Sequence, residues 1–286
     1  MYDLKDLHKK EIELLQAVHD ACEAMNVKYV IMHGTLLGAV RHHGFIPWDD
    51  DIDICMTREN YDTFLREGSQ YLPSNLMIQH VIFEENCPNY YAKVRDVNTT
   101  FLHKEHINLD INQGIFIDVF PIDKIKNGKI RIATEFYKRK WFDLIVNCYN
   151  PDYVASIQRT RSKLIGEVLH WFIRKSVFRI RDWRKYILKE DARRRFLHKI
   201  GDDCTFISIY RNVTDKFSLF EKRREYDFDG SVFYGPEDYD TILEELYGDY
   251  MRIPPKDKQI THDPLFVDLD RGYSKEELAI ILNNIP

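Results

Sequence analysis

The chain has 286 residues, of which 44% are hydrophobic, and a formal net charge of -5 at pH 7. This length allows one elaborated domain or two small ones, and we favour one domain with an insertion. A membrane-spanning helix is excluded, because it needs about 20 apolar residues in a row and charged residues break the most apolar windows. The first residues lack the basic start and apolar run of a secretion signal, so we expect a soluble, cytoplasmic protein.

The cysteines predict neither a disulfide framework nor a thiolate zinc site. They are odd in number, widely spaced and never form a C-x-x-C pair. We interpret them as small buried thiols. The five are Cys22, Cys55, Cys87, Cys148 and Cys204.

The first predicted elements are a helix, a short strand and a second helix that follows a glycine turn. Apolar residues recur every three or four positions through Leu4–Met25, which is typical of an amphipathic helix. The β-rich run Tyr29–Met32 stops at Gly34, and residues 35–41 then favour a helical turn. Gly34 and Thr35 therefore offer backbone N–H groups and a hydroxyl at a helix start, where the helix dipole favours phosphate.

Three aspartates at every second position form the most distinctive feature of the sequence. Residues 51–56 alternate polar and apolar, as a half-buried strand does. Asp49 lies just before this predicted strand, and Asp51 and Asp53 lie within it. Strand spacing would align these carboxylates about 7 Å apart on one face, an arrangement suited to hard cations. A divalent ion would also remove the repulsion between them. We expect Mg²⁺, or Mn²⁺, with two ions present when a donor is bound.

Two other interpretations of the acidic run are a solvated turn and a calcium loop. The apolar run Phe45–Trp48 and the isoleucines at 52 and 54 anchor the acids to a core, which disfavours a solvated turn. An EF-hand also opens with D-x-D-x-D, but it requires Gly at its sixth position and Glu at its twelfth. Ile54 and Asn60 stand there, so the calcium-loop interpretation fails.

The next elements are a helix and two strands. Arg58–Tyr71 has helical apolar spacing, and Met77–Phe83 has the composition of a strand. Tyr91–Val97 alternates polar and apolar residues, so the side chains of Lys93 and Arg95 should project from the same face.

A further predicted strand, Gly114–Pro121, is almost wholly apolar except for Asp118. A glycine and a small hydroxyl residue, then a D-x-D strand, then an acid from a later strand is the pattern of the nucleotidyltransferase fold. We therefore predict an α/β protein with a nucleotidyltransferase-like mixed sheet flanked by helices, in which Asp118 is the third acid. The structural alternative is a buried Asp118 satisfied by backbone amides.

The run from His33 to Asp53 resembles the signature of the LicD phosphotransferase family, to which fukutin also belongs, and the resemblance continues at residues 114–123 and 247–262. Members transfer phosphocholine, or in relatives a polyol phosphate, from a CDP-linked donor to a glycan hydroxyl and release CMP. The resemblance implies transfer of phosphocholine from CDP-choline to a sugar of a cell-surface glycan, such as lipopolysaccharide or teichoic acid, or of its lipid-linked precursor.

Glycerol phosphate or ribitol phosphate transfer, and true nucleotidyl transfer, remain alternatives to phosphocholine transfer. The alternative that is not an enzyme is a membrane-peripheral binding module whose acids hold a structural ion.

The resemblance also implies roles for individual residues. Asp118 would either complete the metal site or take the proton from the acceptor hydroxyl. Lys93 and Arg95 would neutralise the pyrophosphate unless they are merely solvated. A choline head group would favour aromatic rings, and Trp48, Tyr90 and Tyr91 lie near the predicted site; the alternative is that these rings belong to the core. The implied metal ligands are Asp49, Asp51, Asp53 and Asp118, with Asp51, Asp53 and Asp118 catalytic. The predicted substrate-binding residues are Gly34, Thr35, Arg41, Trp48, Lys93, Arg95 and His262. The alternative for His262, which matches a C-terminal position of the family, is a hydrogen-bonded loop histidine.

We divide the chain into a catalytic core at 1–130, a basic helical insertion at 131–200, and a C-terminal segment at 201–286 that packs back on the core and closes the site. From Arg159 to Lys199 there are 14 Lys or Arg against 4 Asp or Glu. This region could lie on an anionic inner membrane face, with each cation contributing about 1 kcal/mol. The alternative is a docked helical subdomain with solvated cations. Nucleic-acid binding is disfavoured, because no recognition motif accompanies the charge.

Overall fold

The structure is a computed structural model, and it confirms the predicted fold class: a mixed sheet flanked by helices. Most of the predicted helical insertion lies outside the described residues, and so does His262. The described residues are 2–107, 109–126, 128, 134–135, 137–138, 183–201, 204–207, 217–259, 261 and 263–283.

The helices and strands follow the predicted order closely. The helices are α1 (Leu4–Ala24), α2 (His33–His42), α3 (Arg58–Glu67), α4 (Trp183–Lys199), α5 (Tyr239–Tyr247) and α6 (Lys275–Asn283). The strands are β1 (Val30–Ile31), β2 (Asp53–Thr57), β3 (Leu76–Gln79), β4 (Ala92–Asp96), β5 (Thr100–Leu102), β6 (Phe116–Ile125), β7 (Cys204–Ile207), β8 (Arg223–Phe228), β9 (Ser231–Pro236) and β10 (Phe266–Asp268).

Five strands form the central sheet in the order β1-β2-β6-β4-β3, and β7 also pairs with the C-terminal part of β6. Strands β2 and β6 are parallel, whereas the other pairs in this sheet are antiparallel. The register places Asp53 of β2 beside Asp118 of β6, and Asp118 beside Lys93 of β4. Because paired residues share a face of a sheet, these three side chains form a row across three strands.

The prediction that Asp51 lies within a half-buried strand is wrong. Strand β2 begins at Asp53, and its residues from Asp53 to Met56 are all buried. The strand starts there because α2 and the turn before it satisfy the backbone of Asp53. Its N–H donates to the hydroxyl of Thr35 (2.8 Å), and its carbonyl accepts from the N–H of Met32 (3.0 Å). Asp51 consequently belongs to the loop that leads into the strand.

The two faces of β6 carry different polar groups. Asp118 and Asp123 are five positions apart in one strand, so they face opposite sides of the sheet. Asp118 faces the acidic cluster, whereas Asp123 accepts two hydrogen bonds from the guanidinium of Arg58 at the start of α3 (2.7 and 2.6 Å).

Helix α4 is docked on the core by buried ion pairs. Arg58 also donates to Asp191 of α4 (3.1 Å), and His198 of α4 accepts from the backbone N–H of Lys124 (3.0 Å). Arg195 of α4 pairs with Asp62 of α3. This part of the predicted insertion therefore uses cations to bind the core. In the described part of the chain, no helix is both long and apolar enough to cross a bilayer.

The C-terminal residues contact the segment that leads into the acidic loop. The carboxylate of Asp229, at the turn of the β8–β9 hairpin, accepts from the N–H of Phe45 (3.0 Å), and its own N–H donates to the carbonyl of His43 (2.8 Å). Arg41, near the end of α2, donates to the carbonyl of Tyr250 (2.7 Å).

Candidate active site

Three carboxylates converge at the edge where β2 begins. Asp51, Asp53 and Asp118 each offer one oxygen, and these oxygens all lie within 4.8 Å of one another. Asp53 and Asp118 meet because their parallel strands are in register, and Asp51 joins them from the preceding loop. This spacing is tighter than the 7 Å or so expected along one strand. Carboxylate oxygens so arranged fit a hard divalent cation.

The predicted ligand Asp49 is not one of the three converging acids, and its carboxylate lies against Gly34 in the first turn of α2. The Asp49 carboxylate occupies the space that a side chain at Gly34 would fill, so the two residues approach each other closely. The Nε2 atom of His8, on α1, lies 2.8 Å from the backbone carbonyl of Asp49. Helix α1 and helix α2 thus position the acidic loop together.

Lys93 is the charge partner of Asp118. Its Nζ lies 2.5 Å from Oδ1 of Asp118 and 3.5 Å from the ring centroid of Phe116, and Lys93 is only 4% exposed. Burial lowers the pKa of Lys93, and the charge of Asp118 opposes that effect. The partner of the buried Asp118 carboxylate is therefore a lysine side chain.

Arg95 shares a face of β4 with Lys93, as predicted, but its guanidinium is bound within the protein. Its Nε donates to Gln79 (2.6 Å) and its Nη1 to the carbonyl of Gly114 (2.5 Å). The residue is fully buried, and its Nη2 has no hydrogen-bond partner among the described residues. Two of its donor atoms therefore support the fold around the site.

The start of α2 adjoins the acids, as the sequence predicts. Gly34 and Thr35 lie in the first turn of α2, where the helix dipole is positive and favours an anion. The Thr35 hydroxyl accepts from the N–H of Asp53, so it holds β2 against this helix. His33 begins the helix with a left-handed backbone (φ 51°), and burial lowers its pKa to about 4.

The electrostatics of the cluster favour a bound cation. Burial raises the pKa of Asp53 well above its usual value, and the neighbouring charges of Asp51 and Asp118 raise it further, whereas Lys93 opposes the shift. A bound cation would lower the pKa of Asp53, because an opposite charge favours the ionised carboxylate.

Glu11 of α1 is a site residue that the sequence analysis missed. It is 2% exposed, and burial followed by the charge of Asp51 raises its pKa well above the usual value. The signal was present: Glu11 lies four residues after Leu7 and four before Leu15, on the apolar stripe of an amphipathic helix. An acid on the apolar stripe of a helix is buried when the helix packs, which indicates a role other than solvation.

The aromatic side chains predicted near a head group are dispersed. The Tyr91 ring centroid lies 5.4 Å from Nζ of Lys93, so Tyr91 borders the site. Tyr90 packs instead against the guanidinium of Arg194, at 5.3 Å. Trp48 is half-buried, in an edge contact with His42.

Arg41 is directed toward the C-terminal segment. Its Nη1 donates to the carbonyls of Tyr250 and Arg252 and its Nε to Nε2 of His42, so two of its three side-chain nitrogen atoms bind groups of the protein. His262, the remaining predicted substrate residue, lies outside the described part of the chain.

Comparison with known proteins adds a family match. Residues 26–154 match the family model described as LicD/FKTN/FKRP, nucleotidyltransferase domain. The chain is 25% identical over 263 residues to the lipopolysaccharide cholinephosphotransferase LicD of Haemophilus influenzae, covering 88% of this chain and 92% of that protein. It is 34% identical over 137 residues to an uncharacterised protein of Rickettsia typhi and 33% identical over 138 residues to one of Rickettsia prowazekii, covering 43% and 50% of those proteins.

Proposed function

We propose that this chain, which contains a LicD-family nucleotidyltransferase domain, transfers phosphocholine from CDP-choline to a sugar hydroxyl of a cell-surface glycan or its lipid-linked precursor, releasing CMP. The observation that carries the proposal is the convergence of Asp51, Asp53 and Asp118 in a segment that matches the family. Similarity to the Haemophilus influenzae cholinephosphotransferase over 88% of the chain supports the choline head group and the glycan acceptor.

Asp51, Asp53 and Asp118 would hold Mg²⁺ or Mn²⁺, with Asp49 beside them. When bound, such ions neutralise charge on the transferred phosphate and polarise its oxygens. The donor set supports this assignment, because three carboxylate oxygens within 4.8 Å of one another are hard ligands brought together in a buried place.

The other residues of the site bind and orient the donor. Backbone N–H groups of the first turn of α2, at Gly34 and Thr35, would face the donor phosphates. Lys93 balances one negative charge of the cluster through Asp118, so fewer charges remain for the ions and the donor to offset. Tyr91, whose ring lies beside Lys93, would offer an aromatic face to a quaternary ammonium.

A lipid-linked acceptor would place the reaction at the inner face of the membrane. The described α4 offers little support for that contact, because Arg193, Arg194 and Arg195 pair with acidic side chains of the protein.

Nucleotidyl transfer is a second candidate, favoured by the nucleotidyltransferase description of the matched domain. The two reactions break different bonds of a nucleotide. Head-group transfer from a CDP-linked donor releases CMP, whereas transfer of a nucleotide from CTP or ATP releases pyrophosphate.

The test is a donor panel of CDP-choline, CDP-glycerol, CDP-ribitol, CTP and ATP, incubated with the protein, Mg²⁺ and a glycan extract. We expect CMP from CDP-choline alone, and none after addition of a chelator or with Asp53→Asn. CMP release from CDP-glycerol or CDP-ribitol would instead identify glycerol phosphate or ribitol phosphate as the transferred group. Pyrophosphate from CTP or ATP would replace the proposal with nucleotidyl transfer.

A further inference from the structure

Glu11 is a buried acid on α1 for which the packing of the helix gives no reason. It is 2% exposed, and its Oε2 atom has no hydrogen-bond partner among the described residues. Burying a carboxylate oxygen without a partner costs several kcal/mol. A leucine at this position of the apolar stripe would avoid that cost, so Glu11 requires an explanation.

Negatively charged side chains near Glu11 increase the free-energy cost of burying its ionised carboxylate. The charges that act on Glu11 are those of Asp51, Asp50, Asp49 and Asp118, in decreasing order, and all are negative. Helix α1 thus adds a further carboxylate to a site that is already acidic. Like charges gathered in a buried place are stable only with a cation or protons among them.

Glu11 lies one helical turn after His8, whose ring contacts the acidic loop at the carbonyl of Asp49 (2.8 Å). The group whose oxygens lie within 4.8 Å of one another contains Asp51, Asp53 and Asp118 but not Glu11. A carboxylate outside that group would act on a bound ion through one of the ion's water molecules and not as a direct ligand. Ions such as Mg²⁺ usually retain several waters, and residues that bind those waters tune the affinity of the site.

We propose that the unpartnered Oε2 of Glu11 accepts a hydrogen bond from a water on the divalent ion held by Asp51, Asp53 and Asp118, so that α1 supplies a positioning residue of the metal site. This inference rests on the proposed function, since it requires that the acids bind a cation. Helix α1 then has two contacts with the site, through Glu11 and through His8 on the carbonyl of Asp49.

The experiment is a titration of the full chain with Mn²⁺, in which free Mn²⁺ is followed by electron paramagnetic resonance and bound-ion hydration by water-proton relaxation. Glu11→Gln keeps the size of the side chain and removes the charge. We expect a 10- to 100-fold weaker Mn²⁺ affinity, about the range for residues that contact a metal ligand or its water. The matched control is Glu13→Gln, an exposed residue of the same helix, which should bind Mn²⁺ as the unaltered protein does.

A second variant, Glu11→Leu, separates metal binding from folding. Without metal it should melt at or above the temperature of the unaltered protein, because an apolar side chain then fills an apolar position. Equal Mn²⁺ affinity in all variants would overturn the role of Glu11 while leaving the metal site intact. An unaltered protein that fails to bind Mn²⁺ would overturn the proposed function itself, and the inference with it.

Discussion

Lys93 and Asp118 occupy paired positions on β4 and β6, and their charged atoms lie 2.5 Å apart in a buried place. Removing one member of such a pair leaves an uncompensated charge. Lys93→Met should therefore lower the free energy of unfolding by about 3 to 5 kcal/mol, measured by urea denaturation.

The double variant Lys93→Met with Asp118→Asn should recover most of that loss, because both charges are then gone. Strictly additive losses would show that the two side chains do not interact. The double variant should remain inactive, since Asp118 is a proposed metal ligand.

Arg58 should stabilise the fold without contributing to the site. It pairs with Asp123 and Asp191 on the face of the sheet opposite Asp118, and it is 3% exposed. Arg58→Met should cost about 3 to 5 kcal/mol of unfolding free energy and leave Mn²⁺ affinity unchanged. Arg66→Met, which removes an exposed pair with Glu67, serves as the control and should cost less than about 1 kcal/mol. Equal losses in the two variants would contradict the role of burial.

The hydroxyl of Thr35 should matter more than its methyl group. It accepts the buried N–H of Asp53, so Thr35→Val leaves that donor without a partner and should cost about 1 to 3 kcal/mol. Thr35→Ser retains the oxygen and should stay close to the unaltered protein in urea denaturation. A serine variant as unstable as the valine variant would assign the effect to packing instead.

The buried His80 should make stability depend on pH. Burial lowers the pKa of His80 from 6.5 to about 4. Between these two pH values the unfolded chain therefore binds a proton that the folded chain does not bind. The free energy of unfolding is therefore highest above pH 6.5 and decreases as the pH falls through this window. The loss approaches about 1.4 kcal/mol per pH unit.

His80→Gln removes this titration. The difference in unfolding free energy between the two proteins, measured from pH 7.5 to pH 5, should therefore change with pH in favour of the variant as the pH falls. A difference that stays constant across this range would show that His80 titrates alike in both states.

The fold and the acids of the site could be predicted because local patterns encode them. Alternation predicted β4, apolar composition predicted the first part of β6, and the D-x-D run together with Asp118 predicted the acids that converge. The start of β2 was missed by two residues, because it depends on the Thr35 hydroxyl from another element.

Longer-range features could not be predicted from single segments. The contribution of Glu11 depends on how α1 crosses the sheet, and the docking of α4 depends on an ion pair between Arg58 and Asp191, 133 positions apart. Arg41 illustrates the same limit, because its partner Tyr250 lies 209 positions away.

The most direct measurement uses CDP-choline labelled with tritium in cytidine and carbon-14 in choline, incubated with the protein, Mg²⁺ and a glycan acceptor. We predict that carbon-14 enters the glycan while tritium is released as CMP in equal amount, and that Asp51→Asn and Asp53→Asn abolish both. Asp62→Asn, a substitution on α3, should retain the transfer. Tritium in the acceptor, or full transfer by Asp53→Asn, would contradict the proposal that these acids transfer phosphocholine.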